Sequence, residues 1–340
     1  MAIDNTVNEA CITKIAIIYD IDGNPYYGDN VANKVDWLSE YTRPTEVNDL
    51  LKIFNAIGYD TEVIDGPKEL LTVANEINQE CVIVFNLSRG LSSGLGKKGI
   101  TPAICEYIGV RYIGATAYGL TLGRNKYHCN CIIKASGIPV PISYEISLED
   151  DFDYSRLLFP IIIKPSFESN SIGIDESSVF YDIDGVNDHV TLIQETYDQS
   201  VIIEQYISGL EISVAVIGNG EGARAIGHVV NLVDGKPVKD IVISRAHNAE
   251  RRMGTSPVIN QELRKKLSVH ACTAHRELYA RDYSRTDFRL NQNGDPVFIE
   301  LEHQPDLGLD STFVPAGLQT YNSPKNIIEA IIIEASKRTS

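Results

Sequence analysis

The sequence predicts two kinds of mixed α/β architecture in one chain of 340 residues: a parallel-sheet domain first, then antiparallel sheets bearing hairpins. Three observations predict it. Short apolar runs alternate with helix-periodic stretches over the first third, the pattern of right-handed strand–helix–strand crossovers. Further on, Gly218-Asn219-Gly220 and Asn293-Gly294 each separate two apolar runs, which is a hairpin signal. Apolar residues make up 43% of the chain and charged residues 22%, an ordinary globular balance.

The elements follow in order. The run at 14–19 (KIAIIY) reads as a first buried strand, leading through Asp20 to the loop Asp22-Gly23-Asn24-Pro25. Val47, Leu50, Leu51 and Phe54 have helical spacing over 45–57, and Gly58 is the stop. Strands are expected at 61–64, 81–86 and 110–113, and helices at 68–77 and 101–108, the last closed by Gly109. The pattern then changes. A helix at 125–136 and an extended link at 137–141 precede isolated strands at 160–165 and 200–204. The hairpins are expected at 211–217 with 222–230, and at 287–290 with 297–302.

Net charge is −16, which argues against nucleic acid and anionic membrane surfaces as partners. The 17 tyrosines form no stripe that would stack bases. No run approaches the roughly 20 apolar residues of a membrane span, and the N-terminus shows no signal-peptide pattern. A soluble cytoplasmic protein is expected. Cys11, Cys81, Cys105, Cys129, Cys131 and Cys272 are scattered without a metal or disulfide spacing and read as free thiols.

The second hairpin carries the sharpest chemistry. Side chains alternate faces along a strand, so Arg285, Asp287 and Arg289 share one face of its first strand, and Glu300 and Glu302 one face of its second. Asp287, Glu300 and Glu302 then converge, and such a cluster suits a hard cation such as Mg²⁺. Arg285 beside it suits developing oxyanion charge. A solvated strand face is the plainer alternative. Lys164 ends an apolar strand, where an ammonium needs an anion. Ser169, Asn170, Ser171 and Gly173 form a small polar loop fit to present N–H groups to phosphate, or a plain turn. Glu204 ends one apolar strand and Glu211 begins the next. Ile203 with Tyr206 offers an adenine sandwich, and Glu211 a partner for ribose hydroxyls. His128 and His303 read as surface or satisfied side chains, with His303 near enough to the acidic strand to touch substrate.

Six ordered blocks then carry a resemblance: VFNL at 84–87, PAICEYIGVRYIGATAYGLTLGRNK at 102–126, PIIIKPSFESNSIG at 160–173, VIIEQYISGLEISVAVIG at 201–218, SRTDFRL at 284–290 and FIELEHQPDLGLDS at 298–311. In these the chain resembles the D-alanine–D-alanine ligase branch of the ATP-grasp superfamily. The resemblance implies an α/β and α+β ATP-grasp fold, divided into an N-terminal substrate domain at 1–120, a central lid subdomain at 121–208 and a C-terminal subdomain with the metal site at 209–340. It implies ATP and one or two Mg²⁺ ions, with Mn²⁺ an alternative, and small-molecule carboxylate and amine substrates. A homodimer is expected from relatives. By the same resemblance, Lys126 and Lys164 contact phosphate, and Ser171 with the backbone of Ser169 and Asn170 closes over it. Glu204, Tyr206 and Ile207 form the adenine linker, and Glu211 holds the ribose. Asp287 and Glu300 are metal ligands, Arg285 stabilises the transferred phosphoryl group, and Ser311 holds the acceptor's carboxylate.

There are departures. Glu302 stands where the family usually has Asn as third metal ligand. Pro305-Asp306 replaces Pro-Gly, Ser169-Asn170 replaces Gly-Ser, and Arg89 brings a cation toward the first substrate. Gly94, Gly96 and Gly99 make their segment mobile or phosphate-seeking. These changes argue against literal D-alanyl-D-alanine synthesis and suggest a more acidic carboxylate substrate. The polar segment 233–254 is expected to close over the site, with Lys239 or Arg245 reaching phosphate. The expected activity is ADP-forming peptide or amide ligation through an acylphosphate. An ATP-grasp kinase sharing Lys126, Lys164 and Asp287, and an ATP-binding regulatory protein without turnover, are the competing readings.

Overall fold

The computed structural model describes residues 12–21, 42–77, 81–90, 94–148, 150–244, 247, 250, 252–309 and 311–338. The loop at 22–25, Cys11, Arg245 and Arg251 lie outside the described residues.

Strands β1 (Lys14–Tyr19), β2 (Asp60–Asp65), β3 (Val82–Asn86) and β4 (Tyr112–Ile113) form a parallel sheet in the order β2-β1-β3-β4. Helix α1 (Pro44–Ile57) begins on a proline, whose missing N–H costs nothing there, and ends at Gly58 with φ 113°. Its stripe of Val47, Leu50 and Phe54 packs with Ile15 and Ile17. The alternate residues Ala16 and Ile18 pack on the opposite side with Leu70 and Ile77 of α2 (Gly66–Ile77) and Cys105 of α3 (Ile100–Ile108). Being covered on both faces is why β1 reads as an unbroken apolar run.

Helices α4 (Ala117–Leu122) and α5 (Lys126–Ala135) lead to an antiparallel sheet of β5 (Ser143–Ile146), β6 (Ile161–Pro165), β7 (Val179–Phe180) and β8 (Val201–Gln205), in the order β5-β8-β6-β7. The two runs that look isolated in the sequence, β6 and β8, are neighbours here. Helix α6 (Val186–Tyr197) seals one face, packing Val186, Val190 and Ile193 against Ile161, Ile163, Val201 and Ile203.

The largest sheet holds β9 (Glu211–Gly218), β10 (Arg224–Val233), β11 (Lys236–Pro237), β12 (Met253–Pro257), β13 (Asp282–Leu290) and β14 (Pro296–Glu302). Its order is β11-β10-β9-β13-β14, with β12 also paired to β10. Helix α7 (Gln261–Glu277) packs with α5 on one face. On the other lie α8 (Phe313–Gly317) and α9 (Pro324–Ser336), whose Ile327, Ile328 and Ile331 join the core of β1, β3 and α1. One apolar core thus ties the parallel sheet to the largest sheet.

The segment at 233–254, expected as one closing loop, is partly sheet: β10 runs to Val233, β11 folds back on it, and Val238 and Val242 are buried. Among the described residues no helix is long and apolar enough to cross a membrane. Cys81, Cys105, Cys129, Cys131 and Cys272 are free thiols, as expected.

Candidate active site

The two smaller strand runs position a buried ion pair. In β6 and β8, Lys164 pairs with Ile202 and Ile162 with Glu204, so Lys164 and Glu204 are diagonal neighbours on one face. The ammonium of Lys164 meets the Glu204 carboxylate, with 9% and 3% of their side chains exposed. Asn130 Nδ2 of α5 donates to the other Glu204 oxygen at 2.6 Å. On the same face, Ile162 packs with Tyr206 and Val242, and Ile174 and Val179 lie against them. This apolar slab beside a charged pair has room in its chemistry for a purine. The sandwich expected from Ile203 and Tyr206 does not form, because Ile203 points the other way, into the core under α6. Period-two alternation decides this: Ile203 and Glu204 are adjacent, so they face opposite sides.

Arg289 organises the next segment. Its Nη1 donates to Tyr206 Oη and to the Ile207 carbonyl, both at 3.1 Å, and its Nε and Nη2 donate to Glu211 Oε2 at 3.0 and 2.9 Å. Asn231 Nδ2 donates to Glu211 Oε1 at 3.1 Å. Glu211 is therefore fixed in place at both oxygens, and Oε1, with a single donor, keeps a second lone pair for a hydroxyl donor.

Lys126 begins α5, immediately after the cap residue Asn125, and its ammonium donates to the Glu168 carbonyl. Burial pushes its pKa down. The Glu300, Glu168 and Glu204 carboxylates oppose that shift, and the like charge of Lys164 adds to it. These charges thus share one region. The loop after β6 turns through left-handed conformations at Asn170 (φ 55°), Ser171 (φ 57°) and Gly173 (φ 68°). For the two non-glycine residues this costs on the order of 1–3 kcal/mol each, a strain that accumulates at ligand clamps. Gly173 sits tightly against Pro165 and Tyr197, at 2.7 and 2.9 Å from where a Cβ would be.

Asp287 and Glu300 stand directly opposite each other across β13 and β14, and a bulge follows at Phe288. Burial and then Asp287 push the Glu300 carboxyl above its ordinary pKa. Asp287 is held by Arg285, whose Nε and Nη2 lie 3.0 and 2.8 Å from its two oxygens, and by Ser213 Oγ at 2.6 Å. Glu302, opposite Arg285 in register, accepts from the Gln304 N–H at 3.2 Å and lies 3.8 Å from Arg89 Nη1. Its burial raises the pKa, but Lys98, Arg89 and Arg285 together outweigh this and hold the carboxyl below its usual value. Among the described residues no group of three His, Cys, Asp or Glu side chains is gathered as a metal cage. Asp287 and Glu300 come together because the bulge skips Ile299, while Glu302 lies among the cations.

Two of those cations, Arg89 and Lys98, come from the segment between β3 and α3. Asp20 accepts from the N–H groups of Arg89 at 2.6 Å and Gly90 at 3.1 Å, and from Ser88 Oγ at 2.9 Å, shaping the loop after β3. Arg89 then donates to the Gln304 carbonyl at 2.9 Å and to Asp306 Oδ1 at 3.2 Å. Glu46 of α1 accepts from the Leu307 N–H at 2.8 Å. Residues 97–99 form a 3₁₀ turn. A Cβ at Gly90 would lie 1.9 Å from the Lys97 carbonyl, and one at Gly99 2.8 Å from that of Ala117, so glycines let this turn pack down. The turn delivers Lys98, whose Nζ donates to Ser169 Oγ at 2.7 Å.

Lys98, Lys126, Ser169, Glu300, Glu302 and His303 line a cleft of about 510 Å³, open mouth included. His303 donates through Nε2 to the Leu278 carbonyl at 2.8 Å, and burial keeps its pKa low. It is thus a satisfied wall residue, while His128 is exposed. Lys239 is exposed and lies outside this lining. Ser311 accepts from the Val314 N–H at 3.3 Å at the start of α8, also outside the lining. Lys98, Asn130, Ile162 and Val242 are residues to which the sequence assigned no site role, and Arg289 was placed only on the strand face of Arg285 and Asp287. The alternation of Ile162 with Lys164 was the available signal for one of them; the others depend on long-range packing.

Sheets arranged in this order around a lysine- and carboxylate-lined cleft define an ATP-grasp fold. The family model described as D-ala D-ala ligase C-terminus matches residues 132–333, and the chain belongs to the D-alanine–D-alanine ligase family. An uncharacterized protein, y4sG, of Sinorhizobium fredii is 28% identical over 290 residues, covering 83% of this chain and 84% of the relative. A D-alanine–D-alanine ligase of Caulobacter sp. is 25% identical over 250 residues, covering 73% and 75%. Among solved structures, the D-alanine–D-alanine ligase of Bacillus anthracis complexed with ATP superposes with a TM-score of 0.71 at 17% identity, covering 95% of this chain and 96% of that one. The VanG D-Ala:D-Ser ligase of Enterococcus faecalis gives 0.71 at 18% identity, covering 95% and 99%.

Proposed function

We propose that the protein is an ATP-dependent, ADP-forming ligase that joins a small carboxylate to a small amine through an acylphosphate, with the chain divided near 120 and 208 as the sequence predicts. The observation that carries this is Asp287 opposed to Glu300 in register, with Glu300 lining one cleft together with Lys126. The purine lies on the slab of Ile162, Tyr206 and Val242, with Glu204 and Ile207 at its edge and Glu211 at the ribose. Lys126, Lys164 and the loop at 169–173 take the phosphates.

Asp287 and Glu300 fit a magnesium ion, since two carboxylates forced together in register are eased by a hard cation that favours oxygen donors. When bound, that ion neutralises phosphate charge and favours attack on the γ-phosphorus. Glu302 lies at the edge of this pair as a further oxygen donor. A donor carboxylate oxygen bonds to the γ-phosphorus, the bond to the β,γ-bridging oxygen breaks, and ADP leaves. The amine nitrogen then bonds to the acyl carbon, the carbon–oxygen bond to phosphate breaks, and the amine's proton leaves with phosphate or to water. Arg285, already aimed at this site, offsets the negative charge of the tetrahedral oxygen. The acceptor's carboxylate lies toward Ser311, and Arg89 and Asp306 border the substrates. The extra carboxylates of Glu302 and Asp306 favour substrates other than two D-alanines.

A regulatory nucleotide-binding protein is the second reading, favoured by the capture of Glu302 among Lys98, Arg89 and Arg285. An ATP-consumption screen of paired amino acids and amines, with mass spectrometry of the products, separates the two. Amine-dependent ADP release with a condensed product supports the ligase. Tight ATP binding without turnover across the panel supports the regulator, and amine-independent phosphorylation indicates a kinase.

A further inference from the structure

We propose that Lys98, delivered by the N-terminal domain, is a third lysine of the nucleotide site and binds the terminal phosphate of ATP. The inference rests on the nucleotide reading above and adds a residue to it. Three observations point to the same place. The Lys98 side chain is buried and its Nζ donates to Ser169 Oγ at 2.7 Å, in the strained loop that follows β6. It lines the same cleft as Lys126 and Glu300. The turn carrying it is fixed by packing that only glycine permits at positions 90 and 99, so the ammonium is pre-positioned and not merely swept through the cleft.

The order of charges along the cleft gives the phosphate its identity. Lys126 interacts with Lys164, Glu204, Glu168 and Glu300, the groups of the purine end and the middle. Glu302 interacts with Lys98 and Arg89 on its far side, and with Arg285, which also holds Asp287. A nucleotide whose base lies beside Glu204 and Tyr206 passes Lys126 first and reaches Lys98 with its last phosphate. A diphosphate ends before it. The cation also belongs to a different domain from the loop it touches, so triphosphate binding would draw the loop at 169–173 and the turn at 97–99 onto one anion.

The test compares binding of the magnesium complexes of AMP-PNP and ADP to the wild type, Lys98→Gln and Lys98→Arg by titration calorimetry on the full chain. A charge-assisted contact to the terminal phosphate predicts that Lys98→Gln weakens AMP-PNP by roughly 10- to 100-fold and leaves ADP within about twofold. Lys98→Arg is expected to recover part of the difference. The ratio of the two affinities cancels any general loosening, and calorimetric stoichiometry reports the folded fraction. Equal loss on both nucleotides would make Lys98 a structural latch and overturn the proposal. No loss on either would assign it to the substrate carboxylate or to Glu302 alone, and overturn it equally. Failure of the wild type to bind either nucleotide would instead sink the nucleotide reading itself.

Discussion

Arg89 Nη2 lies 3.2 Å from Asp306 Oδ1, and this ion pair joins the loop after β3 to the loop after β14. Arg43 Nη2 reaches the other oxygen of Asp306 at 3.7 Å. Because Arg89 also faces Glu302 and the Gln304 carbonyl, its guanidinium holds three groups at and just beyond the end of β14, of which Glu302 lines the cleft. Removing it strips part-exposed Glu302 and half-exposed Asp306 of their shared cation and leaves the Gln304 carbonyl without its donor. Arg89→Met is expected to destabilise the fold by roughly 1–3 kcal/mol, with Arg89→Lys in between because a single ammonium cannot span the fork. Denaturant midpoints of the three proteins check this, and a loss under about 1 kcal/mol for the methionine variant would show the pairing to be incidental.

Lys164 and Glu204 invite a double-mutant cycle. Each single change, Lys164→Met or Glu204→Gln, strands a buried charge and is expected to cost roughly 3–5 kcal/mol, while the double variant costs clearly less than the sum. Lys164→Met is also expected to weaken ATP binding about tenfold or more. Additive stabilities would remove the pair from the account, and unchanged ATP affinity would remove the phosphate role of Lys164.

Glu46 gives a pH prediction. Burial, followed by the nearby Asp306 carboxylate, pushes its pKa from 4.5 up to about 7. The folded state therefore holds a proton that the unfolded chain releases near pH 4.5. The stability this contributes is complete below that pH and is lost as pH rises through about 7. Glu46→Gln is expected to flatten the profile over that window, leaving the variant relatively more stable at pH 8 than at pH 4.5. Thermal melts across the range test it; parallel profiles for both proteins would refute the assignment.

The opposed carboxylates give the catalytic prediction. Asp287→Asn and Glu300→Gln keep volume and strand register, so folding should survive, while magnesium-dependent turnover should fall by roughly 10³-fold or more. Circular dichroism and ADP release together check this, and near wild-type rates would remove both residues from the metal site.

Much of this arrangement was legible in the sequence because strand chemistry is local. The alternation in 285–289 and 300–302 put Asp287 and Glu300 on strand faces able to converge, the register shift after Asp287 that opposes them was not legible, and Gly58 and Gly109 marked helix ends that the backbone confirms at φ 113° and 72°. What stayed hidden was long-range. Lys98 meets Ser169 across 71 residues, Arg89 meets Asp306 across 217, and Arg289 draws in the Ile241 carbonyl across 48. No periodicity encodes such meetings. Glu302 shows the same limit: its strand face was predictable, but the approach of Lys98 and Arg89 from the segment between β3 and α3 was not. Helix α7 was missed because its 17 residues are mostly polar, burying little beyond Leu267, Ala271 and Ala274.

The most direct measurement is ADP release from ATP in the presence of magnesium, with a panel of carboxylates and amines offered singly and in pairs. The account predicts that release accelerates only when one carboxylate and one amine are both present, and that their mass sum less one water appears as product. Saturable ATP binding with no pair raising ADP release would contradict it.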